Sequence, residues 1–153
     1  MALVGLISDT HGLLRPEAVE ALRGVTAIVH AGDVGDPAIL EELARVAPVT
    51  AVRGNVDGGD LARRLPATAI LTVEGVSIYV LHILDDLDLD PGVAGCRVVV
   101  SGHTHEPRVL TRRGVLYVNP GSAGPRRFKL PVTVARLETG DGAPRAEIVE
   151  LPI

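Results

Sequence analysis

Five short apolar runs set the pattern of this chain: LVGLIS (3–8), TAIVHA (26–31), VTAVRG (49–54), VSIYVLH (76–82) and VVVSG (98–102). They are continuous rather than alternating, and β-branched residues are frequent in them. A strand with one wet face alternates, whereas a strand covered on both faces does not. The runs therefore read as buried strands. Three later runs, GVLYVNP (114–120), VTVARLE (132–138) and AEIVELP (146–152), alternate more. The last two read as a hairpin through the turn TGDGAP.

Helix signals fall between the early runs. RPEAVEALRG (15–24) opens with Pro and ends on Gly, and DPAILEELARV (36–46) places Asp36 as N-cap before Pro37. A short helix is expected near Asp60–Arg64, and DDLDLDPGVAG (85–95) reads as a loop or a short capped helix. The order β-α-β-α-β followed mostly by strands argues an α/β fold, parallel in its first half and antiparallel in its second. The expected form is a layered α-β-β-α sandwich of two mixed sheets flanked by helices. A length of 153 residues fits one domain, 1–153, and no linker or repeat divides it.

The core must be aliphatic, because the chain has no Trp, one Phe and two Tyr. Its formal net charge is −4, and its basic residues cluster only as Arg63-Arg64, Arg112-Arg113 and Arg126-Arg127. That is no nucleic-acid footprint. The single cysteine, Cys96, cannot form an internal disulfide and reads as a small buried hydrophobe. MALVGLISD lacks a basic n-region, and no apolar run is long enough to span a membrane. A soluble, cytoplasmic protein with no membrane partner is the expectation.

Each of the five runs ends in residues able to bind a metal. SDTHG follows the first with Asp9 and His11, and HAGDVGD follows the second with Asp33. RGNVDGG follows the third with Asn55 and Asp57, the fourth ends in His82, and the fifth in GHTH, with His103 and His105. In α/β sheets, ligands gather beyond the carboxyl ends of the strands, so groups scattered in sequence can converge. Any one of these residues alone is better read as a satisfied core or surface group. Asp9, His11, Asp33, Asn55, His82, His103 and His105 together exceed the three or four protein ligands of one catalytic ion. Seven suit two ions sharing a carboxylate. Mixed imidazole and carboxylate donors favour Mn, Fe or Zn over Ca or Mg.

SDTHG, AGD, GN, a strand-end His and GHTH, in this order, resemble the calcineurin-like metallophosphoesterases. The small capless bacterial and archaeal phosphodiesterase branch, which shares its fold with the retromer scaffold subunit of eukaryotes, is the most similar. The resemblance runs from Ser8 to about Arg126 and includes NPGSAGPR (119–126). It implies that Asp9, His11 and His105 hold one ion, that Asn55, His82 and His103 hold the other, and that Asp33 bridges. Asp33, Asn55 and His82 are then catalytic as well as ligating. The implied cofactor is a pair of divalent ions, manganese first, with iron, nickel or zinc as alternatives. The implied reaction is hydrolysis of a small phosphate ester, a diester first, by in-line attack of a metal-bridging water or hydroxide. A homo-oligomer is also implied by the resemblance.

Two departures stand out. Val56 follows the GN asparagine, where many relatives carry His, so a group for protonating the leaving oxygen is missing. Weaker turnover, or dependence on a good leaving group, is expected. His82 is followed by Ile83-Leu84 where relatives read Gly-His, and Ile disfavours positive φ. The acidic run after it would repel a polyanion if it lined the pocket. Arg53, Asp57 and Arg126 are candidate substrate contacts, with surface placement, a turn role and a loop brace as their plainer readings. His30, inside an apolar run, reads as a buried hydrogen-bonded residue rather than a ligand. The alternatives to a diesterase are a monoesterase or nucleotide pyrophosphatase with the same ions, and a metal-binding scaffold for protein–protein interaction with little or no activity.

Overall fold

The structure is a computed structural model and describes residues 1–153. In chain order the elements are β1 (Ala2–Ile7), α1 (Pro16–Ala21), β2 (Ala27–His30), α2 (Pro37–Ala44), β3 (Val49–Ala51), α3 (Gly59–Arg64), β4 (Thr68–Val73), β5 (Val76–Leu81), β6 (Val98–Val100), β7 (Arg108–Arg112), β8 (Val115–Asn119), β9 (Thr133–Thr139) and β10 (Arg145–Glu150). A 3-10 turn covers Leu84–Asp86.

The strands form two five-stranded sheets, ordered β10-β9-β1-β2-β3 and β4-β5-β6-β8-β7. The expected split into a parallel first half and an antiparallel second half is not what the chain does. Each sheet has a parallel centre (β1, β2 and β3; β5, β6 and β8), and the antiparallel pairs β9–β10, β4–β5 and β7–β8 extend the sheets outwards. β4 and β7 are additional to the strands read from sequence. Both are edge strands: β4 turns Thr68, Ile70 and Thr72 to solvent, and in β7 only Leu110 is even partly buried.

The sheets pack face to face over an aliphatic core. Val4, Leu6 and Val29 of the first sheet meet Ile78, Val80, Val98, Val100 and Val118 of the second. The opposite face of the first sheet buries Ile7, Ile28 and Val134 against Leu22, Ile39 and Leu43 of the α1 and α2 regions. Gly5 lets that layer close, because a Cβ there would lie 2.7 Å from Leu22 Cδ2. Asp36 caps α2, its Oδ1 accepting from the Ala38 amide at 3.0 Å. On the far face of the second sheet, Tyr79, Leu81, Val99 and Val115 are covered by Cys96 and Leu87. That cover is the 3-10 turn and the loop after it rather than a long helix. The parallel centres align the C-terminal ends of β1, β2, β3, β5 and β6, and the loops leaving those ends build the site.

Candidate metal centre

Asp9, His11, Asp33, His103 and His105 all have positive φ, between 47° and 74°. They are five of the eight non-glycine residues in that region of the map. Non-glycine residues are uncommon there, even though Asp and His tolerate it better than most, so five instances in one place mark a backbone held by its surroundings.

Those surroundings are hydrogen bonds between strand-end loops. The His11 and Gly12 amides donate to the Asp33 and Val34 carbonyls (both 2.9 Å), and Asp9 N donates to Gly32 O (3.0 Å). The NPGSAG loop buttresses from below: Ala123 N donates to Ser8 O and Ser122 Oγ to Asp9 O, each at 3.0 Å. Asn119 Nδ2 donates to Gly102 O and to Thr104 Oγ1 (both 3.1 Å), steadying the GHTH loop.

Asp9 shows what this achieves. Its Oδ2 accepts from Ser8 Oγ (2.7 Å) and from the His103 amide (3.0 Å). Its Oδ1 is buried and has no hydrogen-bond partner. Three imidazole nitrogens surround that oxygen: His105 Nε2 at 3.4 Å, His11 Nε2 at 3.6 Å and His82 Nε2 at 3.9 Å. Asp33 Oδ2 lies 3.1 Å from His82 Nε2 and 3.6 Å from His11 Nε2. His82 Nδ1 donates to Ala31 O (2.7 Å), which leaves its Nε2 lone pair facing inwards. His11 Nε2 and His82 Nε2 are buried without hydrogen-bond partners as well. Native interiors rarely leave such atoms unmatched. Unmatched lone pairs on neighbouring carboxylates and imidazoles are what a divalent cation takes up.

The donors fall into two groups. Asp9, His11 and His105 bring ligand atoms within 4.8 Å of one another, and so do Asp33, His82 and His103. Asn55 stands beside the second group, its Oδ1 3.1 Å from His103 Nδ1. The two groups adjoin: Asp33 Oδ2 of the second lies 3.6 Å from His11 Nε2 of the first, and Asp9 Oδ1 of the first lies 3.9 Å from His82 Nε2 of the second. All seven residues singled out from sequence therefore meet at one end of the sheets.

Residues 2–142 match the calcineurin-like phosphoesterase superfamily domain. The chain belongs to that superfamily. A probable metallophosphoesterase of Methanothermobacter thermautotrophicus is 36% identical over 152 residues, covering 89% of this chain and 86% of its own. Among solved structures, Vps29 of Chaetomium thermophilum superposes with a TM-score of 0.77 at 18% identity, covering 99% of this chain and 100% of its own. An archaeal phosphodiesterase superposes with a TM-score of 0.73 at 23% identity, covering 96% and 99%. These two likenesses are of fold.

In this calcineurin-like phosphoesterase, charge balance within the site moves three groups. Burial alone would raise the Asp33 carboxyl, but His82 and the Val56 amide outweigh it and hold the carboxyl below its ordinary range. Burial would lower His82, but Asp33, the Ala31 carbonyl and Asp9 outweigh that and raise it. His105 is lowered, mainly by burial.

The three weaker candidates have other work. Asp57 is buried and accepts from the Gly54 (2.9 Å), Gly35 (3.0 Å) and Val34 (3.1 Å) amides. Both its oxygens are used within the loops, so it is a brace and not a substrate contact. Arg53 Nη1 donates to Leu65 O at 2.9 Å, which ties the guanidinium to the loop before β4. Arg126 is exposed with no hydrogen bond, and the cation felt at His105 is its neighbour Arg127. Ser8, Thr10, Asn119 and Ser122 were not legible as site residues. Their hydroxyls and amides act through contacts between loops that only the fold creates. Ile83 takes extended backbone, φ −110°, between the end of β5 at Leu81 and the 3-10 turn, so no positive φ is asked of it.

Proposed function

We propose that the chain hydrolyses phosphodiesters with two divalent ions, one held by Asp9, His11 and His105, the other by Asn55, His82 and His103, with Asp33 shared. The observation that carries this reading is the set of buried, unpartnered lone pairs on Asp9, His11 and His82 facing one another. Manganese is the proposed metal, with iron, nickel or zinc as alternatives. Such a pair supplies a more acidic water and charge to stabilise the attacking and leaving oxygens of an in-line displacement.

The chain's own residues prepare that chemistry. Asp9 turns one oxygen to Ser8 and the His103 amide and the other to the imidazoles. His82 is fixed in one tautomer by Ala31 O. Asn55 adds a neutral donor, which limits negative charge where a phosphate must sit. His103 Nδ1 lies 3.1 Å from Asn55 Oδ1, the spacing of adjacent ligands on one ion once that nitrogen carries no proton. Val56, 55% exposed beside Asn55, offers no proton to a leaving oxygen. It favours substrates whose leaving group needs none, and it is the observation behind the second reading, a binding scaffold with weak activity.

Metal-stripped protein tested on bis(p-nitrophenyl) phosphate, with Mn, Ni, Zn, Fe or Mg restored one at a time, decides between the two readings. Activity that returns with a metal and is lost in Asp33→Ala and His103→Ala supports the diesterase. Absence of activity with bound metal present supports the scaffold.

A further inference from the structure

A cavity of about 270 Å³ opens beside His103 and runs away from the metal centre over the outer face of the second sheet. One wall is β7, where Arg108, Leu110 and Arg112 share a face at alternate positions. The floor is Tyr117 of β8, paired directly across from Leu110. The opposite wall is Ile83-Leu84-Asp85. Tyr117 packs against the cluster of Tyr79, Leu81 and Val99, so the floor is backed by core.

Charge along the cavity is balanced. Asp85 and Glu106 face Arg108 and Arg112. The arginine–carboxylate pairs of the chain are Arg23–Glu20, Arg64–Asp60 and Arg145–Glu138, so both cavity arginines are free of carboxylate partners. Of the later acids in the run after His82, Asp88 and Asp90 line a neighbouring hollow that shares Arg112 and Tyr117 with this cavity. Asp85 is the one acid of that run that lines the cavity itself. The volume lies just under the usual ~300–1,000 Å³ of small-molecule sites, enough for one ring-bearing group and too small for a helix or a protein edge.

We propose that this cavity is the subsite for a planar aromatic ester group of the substrate, an aryl group or a nucleobase, seated on Tyr117 between Leu110 and Ile83. The assignment rests on the phosphodiesterase reading above. The phosphorus end would lie toward His103, with Arg108 near it and Arg112 at the far end. Aromatic faces stack on such a platform without reference to base identity.

The test uses the zinc-loaded protein, since zinc is diamagnetic, and follows backbone amides by NMR while methylphosphonate, phenylphosphonate or thymidine 5′-monophosphate is added. Phenylphosphonate or the nucleotide should bind about tenfold or more tightly than methylphosphonate. The shifts should include the Leu110, Arg112 and Tyr117 amides. In Leu110→Glu the aromatic and methyl ligands should bind alike, and Leu110→Ser is the variant to use if that chain does not fold. Preference for the nucleotide over phenylphosphonate identifies a nucleobase, and the reverse identifies a simple aryl group. Equal binding of all three overturns the subsite while leaving the phosphoesterase reading intact. No binding by any of them overturns both.

Discussion

His30 Nε2 lies 3.0 Å from Thr10 Oγ1, and this contact ties the end of β2 to the loop after β1. Thr10 donates its own hydroxyl proton to Val34 O (2.8 Å), so it must accept from His30, which carries its proton on Nε2. His30 Nδ1 accepts from the Gly32 amide at 3.1 Å. A second proton on the ring would set donor against donor at Gly32.

Acid should therefore weaken the fold through His30. Burial pushes its imidazole down to about 4 from 6.5, opposed by Asp57 and reinforced by His82. Between those values the unfolded chain binds a proton that the folded chain refuses, so stability falls as pH drops through that window. The full effect is on the order of 3 kcal/mol. Urea midpoints taken from neutral pH down to about pH 4 should fall more steeply for the wild type than for His30→Asn. Parallel curves would assign the acid sensitivity to other groups.

Asp33→Ala removes the carboxylate proposed as shared between the two ions. Bound divalent metal per chain should drop, and activity should fall by more than the ~10–100-fold typical of losing a supporting group. Metal at about 100 times its Kd should stabilise the wild type by about 2.7 kcal/mol, seen as a rise in Tm. A similar rise in Asp33→Ala would count against the shared-ligand role.

Asp57→Asn keeps the shape of the brace but turns an NH2 toward backbone amides. The expected cost is about 1–3 kcal/mol of stability, with metal affinity lowered by about 10–100-fold. Calorimetric unfolding and a metal titration read both. Unchanged metal affinity would make Asp57 a purely structural residue.

Gly54→Ala isolates close approach from backbone freedom, because Gly54 does not have positive φ. A Cβ there would overlap Asp33 Oδ1 and the Asp33 backbone nitrogen. The expected result is loss of metal-dependent activity in a chain that still folds, checked by circular dichroism and metal content. Full activity would show that Asp33 can move aside without cost.

Val56→His should add the missing proton donor. Turnover of a diester with a poor alkyl leaving group should rise by about tenfold or more. Turnover of bis(p-nitrophenyl) phosphate, whose leaving group needs no proton, should change little. An equal gain on both would point to an effect on binding instead.

The convergence of the seven side chains from Asp9 to His105 was legible in the sequence, because they follow five apolar runs and the C-terminal ends of parallel strands lie together in such sheets. The cap at Asp36 and the terminal hairpin were equally local, each set by neighbours a few residues away. Tertiary structure decided the rest. β4 and β7 are strands because partners pair with them, although their outer residues face water. Asp57 became a brace because two loops more than twenty residues apart offered it their amides. The cavity beside His103 exists because β7, β8 and the Ile83–Asp85 stretch were brought to one face. Burial periodicity is written within a single element, whereas hydrogen-bond partners and shared cavities depend on distances that only chain packing creates.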